Sequence, residues 1–261
     1  MKDLKTSIVE SLDGGANPEL FPFLPYLLQD LTEIGTDPVL VEKMIRTHIG
    51  SKPLKVLDLG CGKGAVSVHL ARELNCHVTG IDGLQPFIDS AIELAATNKV
   101  THLCSFRQGD IREEISTCSG FDVIVLGAIG PVFGFIGDTL QAVTPALNPG
   151  GYVIIDDGFK EDGALPEYDR VVSRSEFYGQ IAETVFTVVE ELILPSGELT
   201  NSNLEIQDKI VMRAEELISR YPGKEKIFRA YIQEQEKEID LMDGKLVVGI
   251  WLLQSGHDSR Q

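Results

Sequence analysis

The sequence has no apolar run of the ~18–20 residues that a membrane-spanning helix needs. Its opening, MKDLKTSIVESLDGG, carries no apolar signal core, so export is not expected. Basic residues are scarce: 23 Lys and Arg stand against 40 Asp and Glu, a net charge of −17. A surface so negative repels phosphate backbones and anionic lipid, and no segment concentrates the cations. Neither nucleic acid nor a membrane is expected as a partner. Cysteine is sparse as well. Cys61, Cys76, Cys104 and Cys118 form no Cys-x-x-Cys pair, and no histidine cluster joins them, so no metal site is expected. Cys76 and Cys104 read as buried core thiols, which fits a reducing, cytoplasmic setting. Internal repeats and low-complexity segments are absent.

What is there centres on Leu54–Leu74, LKVLDLGCGKGAVSVHLAREL. Leu54, Val56, Leu57 and Leu59 form a short apolar run between Pro53 and Gly60, the pattern of a buried parallel strand. From Ala65 the apolar residues recur at helical spacing. Gly60, Gly62 and Gly64 lie between the strand's carboxyl end and the helix's amino end, where open α/β sheets bind ligands. Glycine permits close approach of the backbone, and the helix terminus favours a polar or negative group. Cys61 sits inside this loop as a small residue. Asp58 is a carboxylate at an apolar strand end. It needs either amides of its own turn or a cation on a ligand.

The same logic continues along the chain. His77–Asp82 is a second strand, and Asp82 lies 22 residues beyond Gly60. An acid there suits the two hydroxyls of a ribose, with Gly83 completing the turn. Leu84–Asn98 reads as a helix, Leu103–Gln108 as a third strand, and Phe121–Leu126 as a fourth, ending at Gly127. Phe133–Leu147 reads as a helix. Asn148-Pro149-Gly150-Gly151 reads as a turn before a fifth strand, Tyr152–Ile155, which runs into Asp156 and Asp157. Those two carboxylates can supply a general base or hold a substrate amine. Pro166–Glu183 reads as a helix and Phe186–Leu194 as a sixth strand. Helices over Asn203–Arg220 and Lys224–Met242 precede a last strand, Leu246–Leu253. Upstream, Ser7–Leu12 and Leu20–Ile34 look helical, and Asp37-Pro38 starts a helix that runs to about His48.

The spacing Asp-x-Gly-x-Gly-x-Gly over Asp58–Gly64 resembles the first motif of class I S-adenosylmethionine (SAM)-dependent methyltransferases. It differs from the dinucleotide pattern Gly-x-Gly-x-x-Gly. Leu147-Asn148-Pro149-Gly150-Gly151 is similar to a second pattern of that family. The resemblance covers about residues 53–155 and is nearest the small-molecule enzymes. It implies an α/β/α sandwich on a seven-stranded, mostly parallel, doubly wound sheet with the last strand antiparallel. It implies SAM as cofactor, and a cofactor site of Asp58, Gly60, Cys61, Gly62, Gly64, Asp82, Gly83, Asp110, Ile111 and Gly127. There Asp110 would meet the adenine amine and Ile111 the ring, with a helix N-cap as the competing reading of Asp110. The Asn/Asp-Pro-Pro-aromatic motif of some amino-group and nucleobase enzymes is absent after the fourth strand. So is the aspartate of the metal-dependent catechol type.

The expected organisation is an N-terminal helical cap (1–50), a cofactor-binding core (51–194), a helical insertion (195–245), and a last strand with its tail (246–261) that belongs to the core. The cap and insertion are the candidate walls of a small-molecule acceptor pocket, in a monomer or homodimer. Direct displacement at a sulfonium methyl needs alignment more than acid–base chemistry, so the catalytic group stays open, with Asp157 and Tyr168 as candidates. Two alternatives remain: a SAM-binding protein without turnover, and an NAD(P)-dependent oxidoreductase on a related sheet.

Overall fold

The computed structural model describes residues 2–15, 17–50, 53–163, 171–242 and 244–256, with the backbone alone for 196–202. Seven strands form one sheet in the order β3-β2-β1-β4-β5-β7-β6. They are β1 Lys55–Leu59, β2 His77–Asp82, β3 Cys104–Gln108, β4 Phe121–Gly127, β5 Leu147–Phe159, β6 Phe186–Ile193 and β7 Val247–Ser255. β1 pairs in parallel with β2 and β4, β2 with β3, and β4 with β5, whereas β7 runs antiparallel to β6. The chain turns back at β1, so the strand order reverses between β1 and β4. This is the expected three-layer α/β fold.

In chain order the helices are α1 Leu4–Ser11, α2 Leu24–Leu27 and α3 Pro38–His48 before β1, then α4 Ala65–Leu74, α5 Gln85–Thr97, α6 Ile111–Glu114, α7 Ile136–Val143, α8 Arg174–Ala182, α9 Ser196–Arg220 and α10 Glu225–Met242. Their ends obey local chemistry. Asp37 caps α3 by accepting the Val39 amide at 2.7 Å, with Pro38 at the first helical position. Asn75 closes α4 in the left-handed conformation that ends many helices. Val56, Val78, Val123, Val125 and Ile154 pack against Val41, Met44 and Ile45 of α3 and Val68 of α4, which closes one face of the sheet.

Two compact units emerge. One comprises residues 33–193 and 249–261, the other residues 1–32 and 194–248. The first boundary falls near residue 32 rather than at 50, because α3 buries its apolar face in the sheet unit. Within the smaller unit, Arg213 forks onto Asp30 at 2.5 and 2.9 Å and reaches Glu216 at 3.0 Å. Tyr26 donates to Glu216, and Arg220 lies over the Tyr26 ring. Phe23 packs edge-on against the fully buried Phe228.

Several element boundaries differ from the sequence expectation. Leu20–Ile34 is not one helix: a 3-10 turn over Pro18–Phe23 leads into α2, with Pro22 and Pro25 interrupting the amide ladder. The helix expected over Phe133–Leu147 is α7 with a 3-10 turn, Thr144–Ala146. Asn148–Gly151 does not precede β5 but lies within it as a bulge. Phe121 pairs with Leu147 and Val123 with Tyr152, so four residues oppose one. Gly150 takes φ +72°, and Asn148 Nδ2 donates to the Gly120 carbonyl and to Asp122. The helix expected over Pro166–Glu183 is α8 from Arg174, and residues 164–170 lie outside the described residues.

Candidate cofactor and acceptor site

The turn after β1 spends its amides on the protein. Gly60 and Cys61 both donate to the Ile81 carbonyl, at 2.8 and 3.1 Å. Gly62 donates to Asp82 Oδ2 at 2.9 Å, and Gly64 to the Cys61 carbonyl at 2.9 Å. The three glycines all have positive φ, but they serve different ends. A Cβ on Gly64 would lie 2.8 Å from Ala91 of α5, and one on Gly60 would lie 2.5 Å from Ile129. Those two permit packing. A Cβ on Gly62 would meet nothing within 4 Å. Gly62 is therefore the point of the loop that faces open space.

Asp58 is buried, at 3% exposure, and finds its partner within the fold. Ser67 Oγ, in the first turn of α4, donates to Asp58 Oδ2 at 2.6 Å. Burial pushes the carboxyl up to about 6, Ser67 lowers it, and the charge on Asp82 raises it further. Asp58 thus fastens the α4 amino end to β1. The Cys61 side chain turns inward: a Cβ on Gly80 would lie 2.9 Å from its Sγ. Burial raises that thiol far above its ordinary range, so Cys61 stays a neutral thiol.

Asp82 is placed as the sequence expects, at the end of β2 beside the glycine turn. Its Oδ1 accepts the Leu84 amide at 2.8 Å and its Oδ2 the Gly62 amide. Each carboxylate oxygen has two lone pairs, so these bonds leave acceptor capacity for a diol. Burial raises the carboxyl, and the amides of Leu84, Gly62 and Gly83 pull it back. Gly83 follows, its carbonyl accepting from Gln108.

Asp110 is the N-cap of α6, accepting the Arg112 amide at 3.0 Å. The Arg112 guanidinium also forks onto both its oxygens, at 2.9 and 2.6 Å. The hydrogen bonds from Arg112 hold the Asp110 carboxyl below its ordinary value. Any adenine contact there competes with Arg112. Ile111 is buried as the first residue of α6.

Gly127 ends β4, and its missing side chain is filled by the protein. A Cβ there would lie 2.8 Å from Thr36 Oγ1. Thr36 is 4% exposed and donates to Asp156 Oδ2 at 2.7 Å. Burial pushes Asp156 up to about 6 and Asp157 adds to the rise, while Thr36 lowers it. Asp157 is exposed and accepts its own neighbour's amide, from Gly158, at 2.7 Å. Tyr168 lies outside the described residues. Among the described residues no group of three His, Cys, Asp or Glu side chains could hold a metal ion.

Ser67, Thr36, Ile129 and Arg112 were not singled out from sequence. Ser67 left a faint signal, a polar residue on an apolar helix face. Thr36 left none beyond its place before a helix cap, because its contact with Asp156 spans 120 residues.

The arrangement has one carboxylate and one open glycine at the switch point of the sheet, with a second carboxylate two strands away. Comparison with known proteins gives it a family. A family model described as "Methyltransferase domain" matches residues 51–229. A release factor glutamine methyltransferase of Aliivibrio fischeri is 39% identical over 82 residues, which is 30% of this chain and 28% of that protein. A ubiquinone biosynthesis O-methyltransferase of Rickettsia bellii is 28% identical over 118 residues, 44% of this chain and 47% of that protein. The chain therefore spans less than half the length of these two relatives. A SAM-dependent methyltransferase of Geobacter sulfurreducens, solved with S-adenosylhomocysteine, superposes with a TM-score of 0.73 at 18% identity, covering 90% of this chain and 98% of that one. At that identity the likeness speaks for the fold. With the family model spanning β1 to β6 and the glycine turn, the chain belongs to the methyltransferase-domain family.

Proposed function

We propose that this protein transfers a methyl group from S-adenosylmethionine to a small-molecule acceptor. The observation that carries the reading is the glycine turn. A phosphate cradle directs its amides outward at the ligand. Here four of the turn's amides are bonded inward, and Ser67 at the α4 amino end is bonded to a carboxylate. Acids at Asp58 and Asp82 disfavour a pyrophosphate and favour a cationic adenosyl ligand. The remaining acceptor capacity on Asp82 fits a ribose diol, and the space above Gly62 fits the ligand's backbone approach.

When bound, such a cofactor supplies an activated sulfonium methyl. The chain's own contribution is placement. Asp82 holds the sugar, Gly62 lets the ligand lie against the backbone, and Ile129 covers Gly60 so that the turn keeps its shape. Orientation of that kind accounts for much of the acceleration in a direct displacement. The net charge of −17 favours small acceptors over nucleic acid.

Calorimetric binding of SAM, S-adenosylhomocysteine, NADH and ATP tests the reading. SAM and its demethylated product should bind, and NADH should not. Binding of NADH without either adenosyl compound would sink it. SAM binding with no turnover across a broad acceptor screen would favour a non-catalytic SAM-binding role.

A further inference from the structure

The ends of β4 and β5 carry a pairing that cofactor placement does not use. Gly127 of β4 lies opposite Asp156 of β5. In the same register Val125 lies opposite Ile154, and Asp58 opposite both Val125 and Gly80. Side chains on a strand alternate faces with a period of two. Asp58, Asp82 and Asp156 therefore project from one face of the sheet. With strands about 4.8 Å apart, Asp156 stands roughly 10 Å along that edge from β1. That is the distance of a neighbouring ligand rather than of the cofactor's sugar.

Glu33–Asp37 lies across this edge. Gly35, at φ +95°, seats against Ala128, and Thr36 fills the place of the Gly127 side chain. Among the described residues Thr36 is the hydrogen-bond donor to Asp156. It takes Oδ2 and leaves Oδ1. The carboxylate is thus oriented, half-buried and still able to accept.

We propose that Asp156, oriented by Thr36, holds the acceptor through a protonated amine and takes its proton as the nitrogen is methylated. This rests on the methyl-transfer reading above. One N–H proton of the ammonium passes to the Asp156 carboxylate. The freed nitrogen lone pair forms the bond to the methyl carbon, and the carbon–sulfur bonding pair stays on sulfur. The positive charge moves from sulfur to the methylated nitrogen, and Asp156 later returns its proton to water. A group pushed up to about 6 is ionised at neutral pH yet basic enough to share a proton in flight. Asp157, on the same strand, is the charged group acting on it, and Thr36 from the preceding loop and Gly127 from β4 carry no charge. An amine suits this setting better than a phenol. A phenol would develop negative charge beside Asp157, whereas an amine goes from ammonium through the neutral nitrogen back to a methylated ammonium and carries no negative charge at any point.

Transfer from methyl-labelled SAM to sarcosine, ethanolamine, putrescine and catechol tests the assignment in wild type, Asp156→Asn and Thr36→Val. Calorimetric SAM affinity and the Asp156 carboxyl resonance in carbon-13-labelled protein are read alongside. Asp156→Asn should bind SAM within about twofold of wild type and lose at least about 100-fold in amine methylation, the range of a lost general base. Thr36→Val should move the acidic limb of kcat/KM to higher pH, because a carboxylate without its donor is harder to ionise. A purely structural role would lower the whole profile evenly. An amine should shift the Asp156 resonance when S-adenosylhomocysteine is present. Unaltered amine turnover in Asp156→Asn, a resonance that no amine moves, or turnover of catechol alone overturns the assignment while SAM binding stands. Failure of wild type to bind SAM overturns the methyl-transfer reading itself.

Discussion

Asp82 accepts the amide of Gly62 at 2.9 Å, and this bond ties the end of β2 to the glycine turn that follows β1. One carboxylate therefore shapes the loop and has lone pairs left for a ligand. Asp82→Ala removes both functions and strands the Gly62 amide. Asp82→Asn keeps an acceptor for one amide but loses the charge. SAM affinity should fall roughly 10–100-fold in Asp82→Ala, the worth of charge-assisted hydrogen bonds at about 1.5–3 kcal/mol. Asp82→Asn should lie between that variant and wild type. Calorimetric titration measures both. Wild-type affinity in Asp82→Ala would refute the ribose assignment.

Gly62 and Gly64 make a matched pair for separating folding from binding. Both need positive φ, so alanine strains either one by about 1–2 kcal/mol. At Gly64 the new methyl also runs into Ala91, whose Cα would lie 3.1 Å away on a rigid helix. At Gly62 it points into open space. Gly64→Ala should lower the melting temperature of the cofactor-free protein much more than Gly62→Ala does. Gly62→Ala should lose more SAM affinity than its small stability loss explains. Differential scanning fluorimetry with and without SAM distinguishes the two. Equal behaviour would mean that Gly62 faces no ligand.

The strand–glycine–helix unit and the acid ending β2 were legible because each is written in consecutive residues. An apolar run gives a strand, glycines give a turn, and helical spacing gives α4. The alternation continues far enough to fix a sheet that reverses at β1. The bulge in β5 was not legible, because Asn-Pro-Gly-Gly is also good turn chemistry and only pairing with β4 keeps it in the ladder. Nor was the partner of Asp58. The sequence showed a buried carboxylate that needed a donor but could not say that Ser67, nine residues on, supplies it. Thr36 is the extreme case. A threonine before a helix cap carries no mark of the distant strand end that it buttresses.

Ser67 gives a prediction about that hidden bond. In Ser67→Ala the Asp58 carboxylate loses its hydroxyl donor while staying buried next to Asp82. Stability should drop by about 1–3 kcal/mol, the cost of a buried polar group left short of a partner. The drop should be largest at high pH, where Asp58 must carry charge. Ser67→Thr restores the hydroxyl and should recover most of the loss. Chemical denaturation of the three proteins at pH 5 and pH 8 reads this directly. A pH-independent loss would mean that Ser67 matters only for packing.

The smaller unit carries its own titration. Asp13, held at φ +56° after α1, faces Glu234, Gln235 and Glu238 of α10. Burial and then the Glu238 charge push its carboxyl up to about 7, and Gln235 pulls it down. Burial raises Glu238 as well, with Glu234 adding to it. The fully buried Tyr231 feels Asp13, and its hydroxyl has no partner among the described residues. The sign follows from proton counts. Between about pH 4 and pH 7 folded Asp13 keeps a proton that the unfolded chain has released, so stability falls as pH rises through that window. Above pH 7 both states are ionised there, and the loss is complete. Asp13→Asn suits the left-handed backbone and cannot ionise. It should match wild type near pH 4. At pH 8 it should melt roughly 3–6 °C higher, the shift that about 1–2 kcal/mol makes in a chain of this size. Tyr231→Phe deletes the unpartnered hydroxyl and should cost nothing at either pH. Melting curves of the two variants from pH 4 to pH 8 decide the matter. A wild-type melting temperature that rises across this range, with Asp13→Asn tracking it, would place the carboxyl in solvent and not against α10.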